Sequence, residues 1–182
     1  MKRMKKLLTG LLTLGMTLSM MTMTAFAAEP PAKMPTIDFD SSKKGSITIH
    51  KYEYNGEAKV TGTGEDNQTP PEGAEPLANV KFKITKIAEL NDYYGTDAKA
   101  FPTVEQAKTM TSIGTPIVQI TDENGEAKFN NLSLGLYLVQ ETDAPAQITG
   151  KVGDFLVSVP MTNATGDDWL YNVHVYPKNS ST

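Results

Sequence analysis

Short runs of alternating apolar and polar residues recur along the chain, and they restrict its fold more than any other feature. The runs are rich in β-branched and aromatic residues and are bounded by turn-forming residues, as is typical of strands. They cover residues 46–54, 80–87, 117–120, 127–129, 136–141, 155–159 and 169–176. About seven short strands joined by polar loops predict an all-β protein built as an antiparallel β-sandwich.

The segments between these runs carry turn and helix signals. Polar loops fill residues 65–76 and 162–168, and the Asp-Glu-Asn-Gly sequence of residues 122–125 predicts a β-hairpin turn. Residues 103–110 instead begin with a Thr that can cap a helix and contain good helix formers. We therefore expect one short helix, inserted on the surface of the sandwich.

The N-terminal residues have the composition of an export signal. A positively charged head precedes an apolar run over residues 7–23, and Ala25-Phe26-Ala27 has the small-x-small form of a signal peptidase site. We predict a signal peptide over residues 1–27, with a retained membrane anchor as the alternative. Residues 28–44, rich in Pro, Lys, Ser and Asp, are predicted to form a flexible leader to a domain that begins near Gly45.

The charge and the absence of cysteine exclude several classes of protein. Four of the 17 Lys and Arg residues lie in the export signal, so 13 remain against 21 Asp and Glu, a net charge of −8. Such an acidic chain offers no surface for nucleic acid. Without cysteine there is no disulfide and no Cys-based zinc site. His50 and His174 are far apart in the sequence and are interpreted as outward-facing strand residues, so we predict no metal site and no cofactor.

Three polar residues are predicted to point into the apolar interior, because side chains alternate between the two faces of a strand. In three of the runs, the alternate positions are apolar and end with a polar residue. These sets are Ile47, Ile49 and Lys51 in the first run, Tyr137, Val139 and Glu141 in the fifth, and Trp169, Tyr171, Val173, Val175 and Asn179 in the last. A buried Lys, Glu or Asn is costly without a partner. Each also has an ordinary alternative: Lys51 at a strand edge, Glu141 in water at a strand end, and Asn179 in a frayed tail.

Together the three side chains suggest a reaction. Burial lowers the pKa of a lysine and raises that of a carboxylic acid, which favours a neutral amine and a protonated acid. The Lys51 amine would attack the Asn179 side-chain carbonyl, while Glu141 donates a hydrogen bond to that carbonyl and shuttles protons to the leaving ammonia. The product would be an amide bond within the chain, made in a single turnover.

Two segments resemble motifs of a known family. Residues 135–145, Gly-Leu-Tyr-Leu-Val-Gln-Glu-Thr-Asp-Ala-Pro, resemble the E-box of Gram-positive pilins and of collagen-adhesin B-type domains, in which the Glu promotes an intramolecular isopeptide bond. The last run and the residues after it resemble the pilin motif of sortase-assembled shaft pilins at Trp169, Val173, Val175, Tyr176, Pro177 and Lys178. The resemblance covers roughly residues 45–179 and implies an Ig-like fold of the collagen-adhesin B type.

The resemblance implies a structural subunit of a covalent pilus on the cell wall of a Gram-positive bacterium. In this family a class C sortase joins the motif lysine, here Lys178, to the C-terminal Thr of the next subunit's sorting signal. Neighbouring subunits and host surface ligands are the further partners it implies, with no membrane contact after signal cleavage. Strand alternation directs Lys178 toward solvent and Asn179 inward.

The chain departs from the family pattern in two places. Gln147-Ile148 stands where Gly-Tyr often follows the E-box Pro, and no Leu-Pro-x-Thr-Gly sorting signal is found after the motif. We therefore expect residues 45–179 to form the N-terminal domain of a longer pilin, with residues 180–182 starting a linker to C-terminal domains.

Two other functions stay open on the sequence alone. A non-polymerising adhesin stalk or ligand-binding module of the same fold would keep Lys51 and Glu141 but would not need Lys178. A secreted hydrolase is the second, but the pairs of adjacent acids lie in turn-rich loops and no serine has a nucleophile-elbow context. We therefore do not expect an enzyme with turnover.

Overall fold

The structure, a computed structural model, describes residues 37, 39, 42–53, 62–66, 68–94, 97–146 and 150–177. Its elements are, in chain order, β1 (Lys44–His50), β2 (Tyr52–Glu53), β3 (Glu75–Pro76), β4 (Lys81–Ala88), α1 (Asn91–Tyr94), α2 (Val104–Thr109), β5 (Ile117–Ile120), β6 (Glu126–Ser133), β7 (Gly135–Asp143), β8 (Phe155–Val159), β9 (Met161–Thr162), β10 (Trp169–Leu170) and β11 (Asn172–Val175). The predicted all-β class is confirmed. Within these ranges no helix has the length and apolarity needed to span a bilayer. The predicted signal peptide lies outside the described residues.

Two larger sheets and two short ribbons are formed by the described residues. The larger sheets have the strand orders β11-β1-β6 and β5-β4-β7-β8, and the ribbons are β2-β3 and β9-β10. Strand β1 is central in its sheet: it pairs with β6 in antiparallel and with β11 in parallel orientation. The other pairings in the described part are antiparallel. The sandwich is thus antiparallel except where its first and last long strands meet.

Both larger sheets contribute side chains to one apolar core. The three-stranded sheet supplies Ile47, Ile49, Phe129 and Val173, and the four-stranded sheet supplies Phe82, Ile84, Val139 and Val157. Burying side chains of this size contributes about 1.5–3 kcal/mol each relative to leaving them in water. The period-two pattern in the sequence therefore marks the positions that stabilise the sandwich.

Strand β7 is buried on both faces. Tyr137 and Val139 belong to the main core, whereas Leu136 and Leu138 pack in a second apolar cluster together with Ala107 of helix α2. The helix therefore covers the outer face of the four-stranded sheet, as expected for an insertion on the surface of the sandwich.

Helix α2 begins as the sequence predicts. The hydroxyl of Thr103 accepts a hydrogen bond from the Gln106 backbone amide (3.2 Å), and the Gln106 side-chain oxygen accepts one from the Thr103 amide (2.8 Å). This reciprocal capping box satisfies two of the amide groups that a helix N-terminus leaves unpaired.

The prediction that residues 122–125 form a hairpin turn is wrong. Strand β5 before the turn belongs to the four-stranded sheet and β6 after it to the three-stranded sheet, so the turn carries the chain from one sheet to the other. Gly125 has a φ of +74° and donates its amide to the Asp122 carbonyl at 2.9 Å. The Asn-Gly signal thus predicted a tight turn correctly, but it does not determine which strands pair.

The last predicted strand, residues 169–176, is interrupted at Tyr171. Its first part, β10, pairs with β9, and its second part, β11, pairs with β1. The Tyr171 carbonyl between them accepts the Ser46 amide at 2.9 Å. This approach requires Gly45, because a Cβ there would lie 2.3 Å from the Tyr171 oxygen.

The folded domain begins before the predicted boundary, and some elements carry no alternation signal. Strand β1 starts at Lys44, and Ile37, in the predicted flexible leader, is buried in the main core. Helix α1 and strands β3 and β9 were not predicted, because they are only two to four residues long, too short for a periodic pattern. Strands β2 and β10 lie within the predicted runs 46–54 and 169–176, but their pairing with β3 and β9 was not predicted.

Gly125 is expected to be hard to replace, because two constraints meet there. A side chain at its φ of +74° is strained, and a Cβ would lie 2.2 Å from the Lys51 carbonyl oxygen. We expect Gly125→Ala to lower the free energy of unfolding by about 3 kcal/mol or more. Gly73→Ala is the matched control: its φ is +80° with open space around it, so we expect a loss of only about 1–2 kcal/mol. Urea denaturation followed by the fluorescence of the single tryptophan measures both, and equal losses would contradict the role of the Lys51 contact.

Candidate functional site

Lys51 and Glu141 meet inside the domain. Lys51 Nζ lies 3.2 Å from Glu141 Oε2, and the two side chains are 0% and 1% exposed. Lys51 directly follows β1 in the parity of Ile47 and Ile49, and Glu141 lies on β7 opposite the buried Phe82 of β4. The structure therefore places both residues in the interior, where strand alternation predicts them, and brings them into contact.

The main chain of Lys51 is held on both sides. Its amide donates to the Gly125 carbonyl at 2.8 Å, and its carbonyl accepts the Leu77 amide at 2.9 Å. These two hydrogen bonds fix the main chain of Lys51, from which the side chain extends to Glu141. This role of the Asn-Gly turn is not apparent from the sequence, although the Gly that marks the turn is the residue that permits the close contact.

Glu141 is only partly satisfied by its neighbours. Oε2 accepts the Val152 amide at 3.4 Å and faces the lysine, whereas Oε1 is buried without a hydrogen-bond partner in the described part of the chain. A buried polar atom left in this state typically costs about 1–3 kcal/mol. Oε1 is therefore the atom that is free to exchange a hydrogen bond or a proton with a third polar group.

The electrostatic environment favours a reactive amine. Burial lowers the pKa of Lys51, although the neighbouring Glu141 carboxylate raises it in opposition. The free energy needed to hold a charged ammonium out of water is the dominant effect. A lysine with a lowered pKa is more often neutral, and the neutral form is the nucleophile.

The residues of the predicted pilin motif occupy β10, β11 and the segment after them. Val173 is fully buried in the core, Val175 is half-buried against it, and Trp169 packs edge-to-face on Tyr94 with ring centres 5.3 Å apart. The next motif residue, Tyr176, and Pro177 are both half-buried. The apolar residues of the motif thus anchor the end of the last strand to the sandwich.

Lys178 and Asn179 lie outside the described residues. The structure therefore brings together two of the three side chains predicted to react and says nothing of the third or of the predicted sortase acceptor. The parallel pairing of β1 with β11 relates Lys51 to the described end of the motif. Ile49 lies opposite Val175, so the same register, continued for two residues, brings Lys51 level with Pro177.

The two histidines have the parity opposite to the core residues, in line with their interpretation as outward-facing, but they are in contact and His50 is covered. His50 is 5% exposed, and its Nε2 lies 2.9 Å from Nδ1 of His174, with the ring centres 5.2 Å apart. The cause is the parallel pairing of the first and last long strands, which puts Thr48 opposite His174. Alternation within one strand does not reveal which strand lies beside it, so the sequence offered no signal for this contact.

A double-mutant cycle would measure the coupling of the buried pair. In an Asn179→Ala background, which prevents any bond to Asn179, we expect Lys51→Met and Glu141→Leu each to lower the free energy of unfolding by about 3–5 kcal/mol, because each leaves its partner unpaired. The double variant should lose clearly less than the sum of the two single losses. Denaturant titrations of the four proteins test this, and additive losses would show that the two groups do not interact.

Comparisons with known proteins agree on one family. Residues 42–180 match the family model described as Gram-positive pilin subunit D1, N-terminal domain. The chain is 36% identical over 163 residues to the fimbrial subunit type 1 of Actinomyces viscosus, which covers 86% of this chain and 30% of that protein.

Solved structures give the same result. The full-length major pilin SpaD of Corynebacterium diphtheriae is 40% identical with a TM-score of 0.63, over 79% of this chain and 33% of SpaD. The major pilin SpaA of the same organism, whose structure points to a modular pilus assembly and stabilising isopeptide bonds, is 30% identical with a TM-score of 0.54, over 76% of this chain and 31% of SpaA. The chain spans about a third of the length of these relatives. Because the family match extends over most of the chain and the sandwich is shared with solved pilins, this chain belongs to the Gram-positive pilins and contains their N-terminal domain.

Proposed function

We propose that this protein is a structural subunit of a covalent pilus, exported to the surface of a Gram-positive bacterium and attached to its cell wall. Family membership and the similarity to major pilins support this assignment. The observation that carries the chemical part of the proposal is the contact of 3.2 Å between the buried Lys51 amine and the Glu141 carboxylate. This contact supports an amide bond within the domain, and the pilin motif supports a second amide bond between subunits.

The bond within the domain joins Lys51 to Asn179. The neutral amine of Lys51 attacks the side-chain carbonyl carbon of Asn179, and Glu141 hydrogen-bonds the carbonyl oxygen. Glu141 then takes a proton from the attacking nitrogen and passes one to the departing amide nitrogen. One C–N bond forms, one breaks, ammonia leaves, and Glu141 is restored. The carboxylate oxygen without a partner is suited to this exchange because no described neighbour competes for it.

The strand register supports the close approach of Lys51 and Asn179 that this reaction requires. Lys51 is level with Pro177 when the β1–β11 register is continued, and Asn179, two residues later in the sequence, has the same predicted parity. Two residues of extended strand cover about 6–7 Å, a span comparable to an extended lysine side chain. The amine and the carboxamide would then approach each other on the face that already holds Glu141.

The internal bond would contribute much of the stability of the domain. It would close a loop of more than a hundred residues, for which the chain-entropy treatment of cross-links gives about 5 kcal/mol. The net stability of a whole domain is typically about 5–15 kcal/mol. A bond between the first long strand and the end of the last would therefore protect the sandwich against unfolding and proteolysis.

Intact mass spectrometry would detect the internal bond. We expect the purified protein to weigh one ammonia less than its sequence mass, and tandem spectra to join a peptide containing Lys51 to one containing Asn179. Glu141→Gln should restore the full mass, because the proton carrier is lost while the size of the side chain is kept.

Asp143→Asn is the matched control for Glu141→Gln. It removes a carboxylate from the same strand two residues further on, where the side chain is 68% exposed, and it should leave the ammonia loss intact. A wild-type mass equal to the sequence mass would show that the internal bond does not form, and it would leave the proposed bond between subunits unaffected.

The bond between subunits uses Lys178. A class C sortase would join its amine to the C-terminal Thr of the sorting signal of the neighbouring subunit, as the family resemblance implies. The motif residues before it support this role, since Tyr176 and Pro177 are half-buried and fix the chain next to the lysine. Strand alternation predicts that Lys178 points away from the core, opposite to Val173 and Val175.

A transfer assay would separate a shaft pilin from a non-polymerising adhesin stalk. We expect a class C sortase to attach a sorting-signal peptide to the wild-type protein but not to Lys178→Arg, because arginine keeps the charge and lacks a nucleophilic amine. Lys151→Arg, which changes another exposed lysine, should react like the wild type. Unchanged transfer to the Lys178→Arg protein would refute the acceptor role of Lys178, and absence of transfer to the wild type would favour the adhesin stalk.

A further inference from the structure

Three side chains that commonly bind metals converge beside the pilin motif. His50 comes from β1, Asp66 from the segment at residues 62–66, and His174 from β11. His50 Nε2 lies 2.9 Å from His174 Nδ1 and 3.8 Å from Asp66 Oδ1, and His174 Nδ1 lies 3.5 Å from the same oxygen. Two nitrogens and one oxygen thus surround a common point.

The spacing of these atoms fits one small ion. Zinc binds imidazole nitrogen and carboxylate oxygen at about 2.0–2.2 Å in a tetrahedron, so its ligand atoms are about 3.3–3.5 Å apart. The three observed separations lie on both sides of this value and require only small side-chain shifts. Asp66 is 68% exposed, which leaves the outer side of the group open to water as a fourth ligand.

Glu126 supports His50 from the opposite side of the imidazole ring. Glu126 Oε1 lies 3.5 Å from Nδ1 of His50, the ring nitrogen on the far side from the other two ligands. A carboxylate in this position orients a metal-binding imidazole and strengthens it as a ligand.

We propose that His50, Asp66 and His174 bind one divalent transition-metal ion, with Zn²⁺ the ion that matches the ligands and their spacing. Two imidazoles and one carboxylate disfavour Ca²⁺ and Mg²⁺, which take oxygen ligands. The site is independent of the buried Lys51 and Glu141 pair, and the proposed function does not require it.

The ion would join three segments that are distant in sequence. Tyr176 stacks on His50 with ring centres 4.5 Å apart, and its hydroxyl lies 3.4 Å from Asp66 Oδ1. Metal binding would therefore hold the segment at residues 62–66 and the end of β11 together around Tyr176. On the proposed function, this is the segment that leads directly to the lysine used by the sortase.

Titration calorimetry with Zn²⁺ alone, on the metal-stripped protein, tests the site. We expect one ion per chain, and visible absorption of tetrahedral Co²⁺ when cobalt replaces zinc. Asp66→Asn and His174→Gln should each weaken Zn²⁺ binding by more than about tenfold, and Glu126→Gln by about 10- to 100-fold. Glu123→Gln, which removes an exposed acid from the turn at residues 122–125, is the control and should bind like the wild type.

The outcomes separate a metal site from a histidine pair joined by a hydrogen bond. Absence of Zn²⁺ binding, or equal affinity of the wild type and His174→Gln, would overturn the proposal. Circular dichroism of each variant shows whether the fold is retained, and Asp66→Asn, at an exposed position, keeps the test valid if His174→Gln is unstable. Neither sortase transfer nor ammonia loss enters these measurements, so their failure and the failure of the pilus proposal are distinguishable.

Discussion

The contact between a lysine amine and a glutamate carboxylate in an apolar core is the constraint on which the rest of the domain depends. Two such groups are tolerated only when they satisfy each other or a further partner. Hydrogen bonds from separate segments hold both residues. The Gly125 carbonyl and the Leu77 amide bind the main chain of Lys51, and the Val152 amide contacts the Glu141 carboxylate. Segments that are distant in sequence therefore converge on one amine and one acid.

The strands and the inward direction of Lys51 and Glu141 could be predicted, because alternation is a local property of each run. The partners of the strands could not. The turn at residues 122–125 has the sequence of a hairpin but joins two sheets, and the interruption at Tyr171 depends on the small size of Gly45, far away in the chain. Pairing is decided by packing between distant segments, so the contact of His50 with His174 stayed hidden although both residues were noticed.

Neighbouring residues at the end of β1 have separate surroundings. Lys51 lies beside the acid of β7 in the interior, whereas His50 contacts His174 and Tyr176 of the last strand region. The same alternation is predicted for Lys178 and Asn179. Under the proposed function and with the proposed metal site, adjacent side chains that point to opposite faces would separate the internal bond from the metal ion and from the bond to the next subunit.

The parallel pairing of β1 with β11 also controls when the domain can close. Residue Ile47 finds its partner Val173 only after more than a hundred intervening residues have been made. Pairings of such long range are slow, since the entropy of closing the loop is lost before any contact forms. A chain emerging from the ribosome therefore cannot complete the sheet β11-β1-β6 until its last strand has been made, and under the proposed function the chemistry at Lys51 waits for the same step.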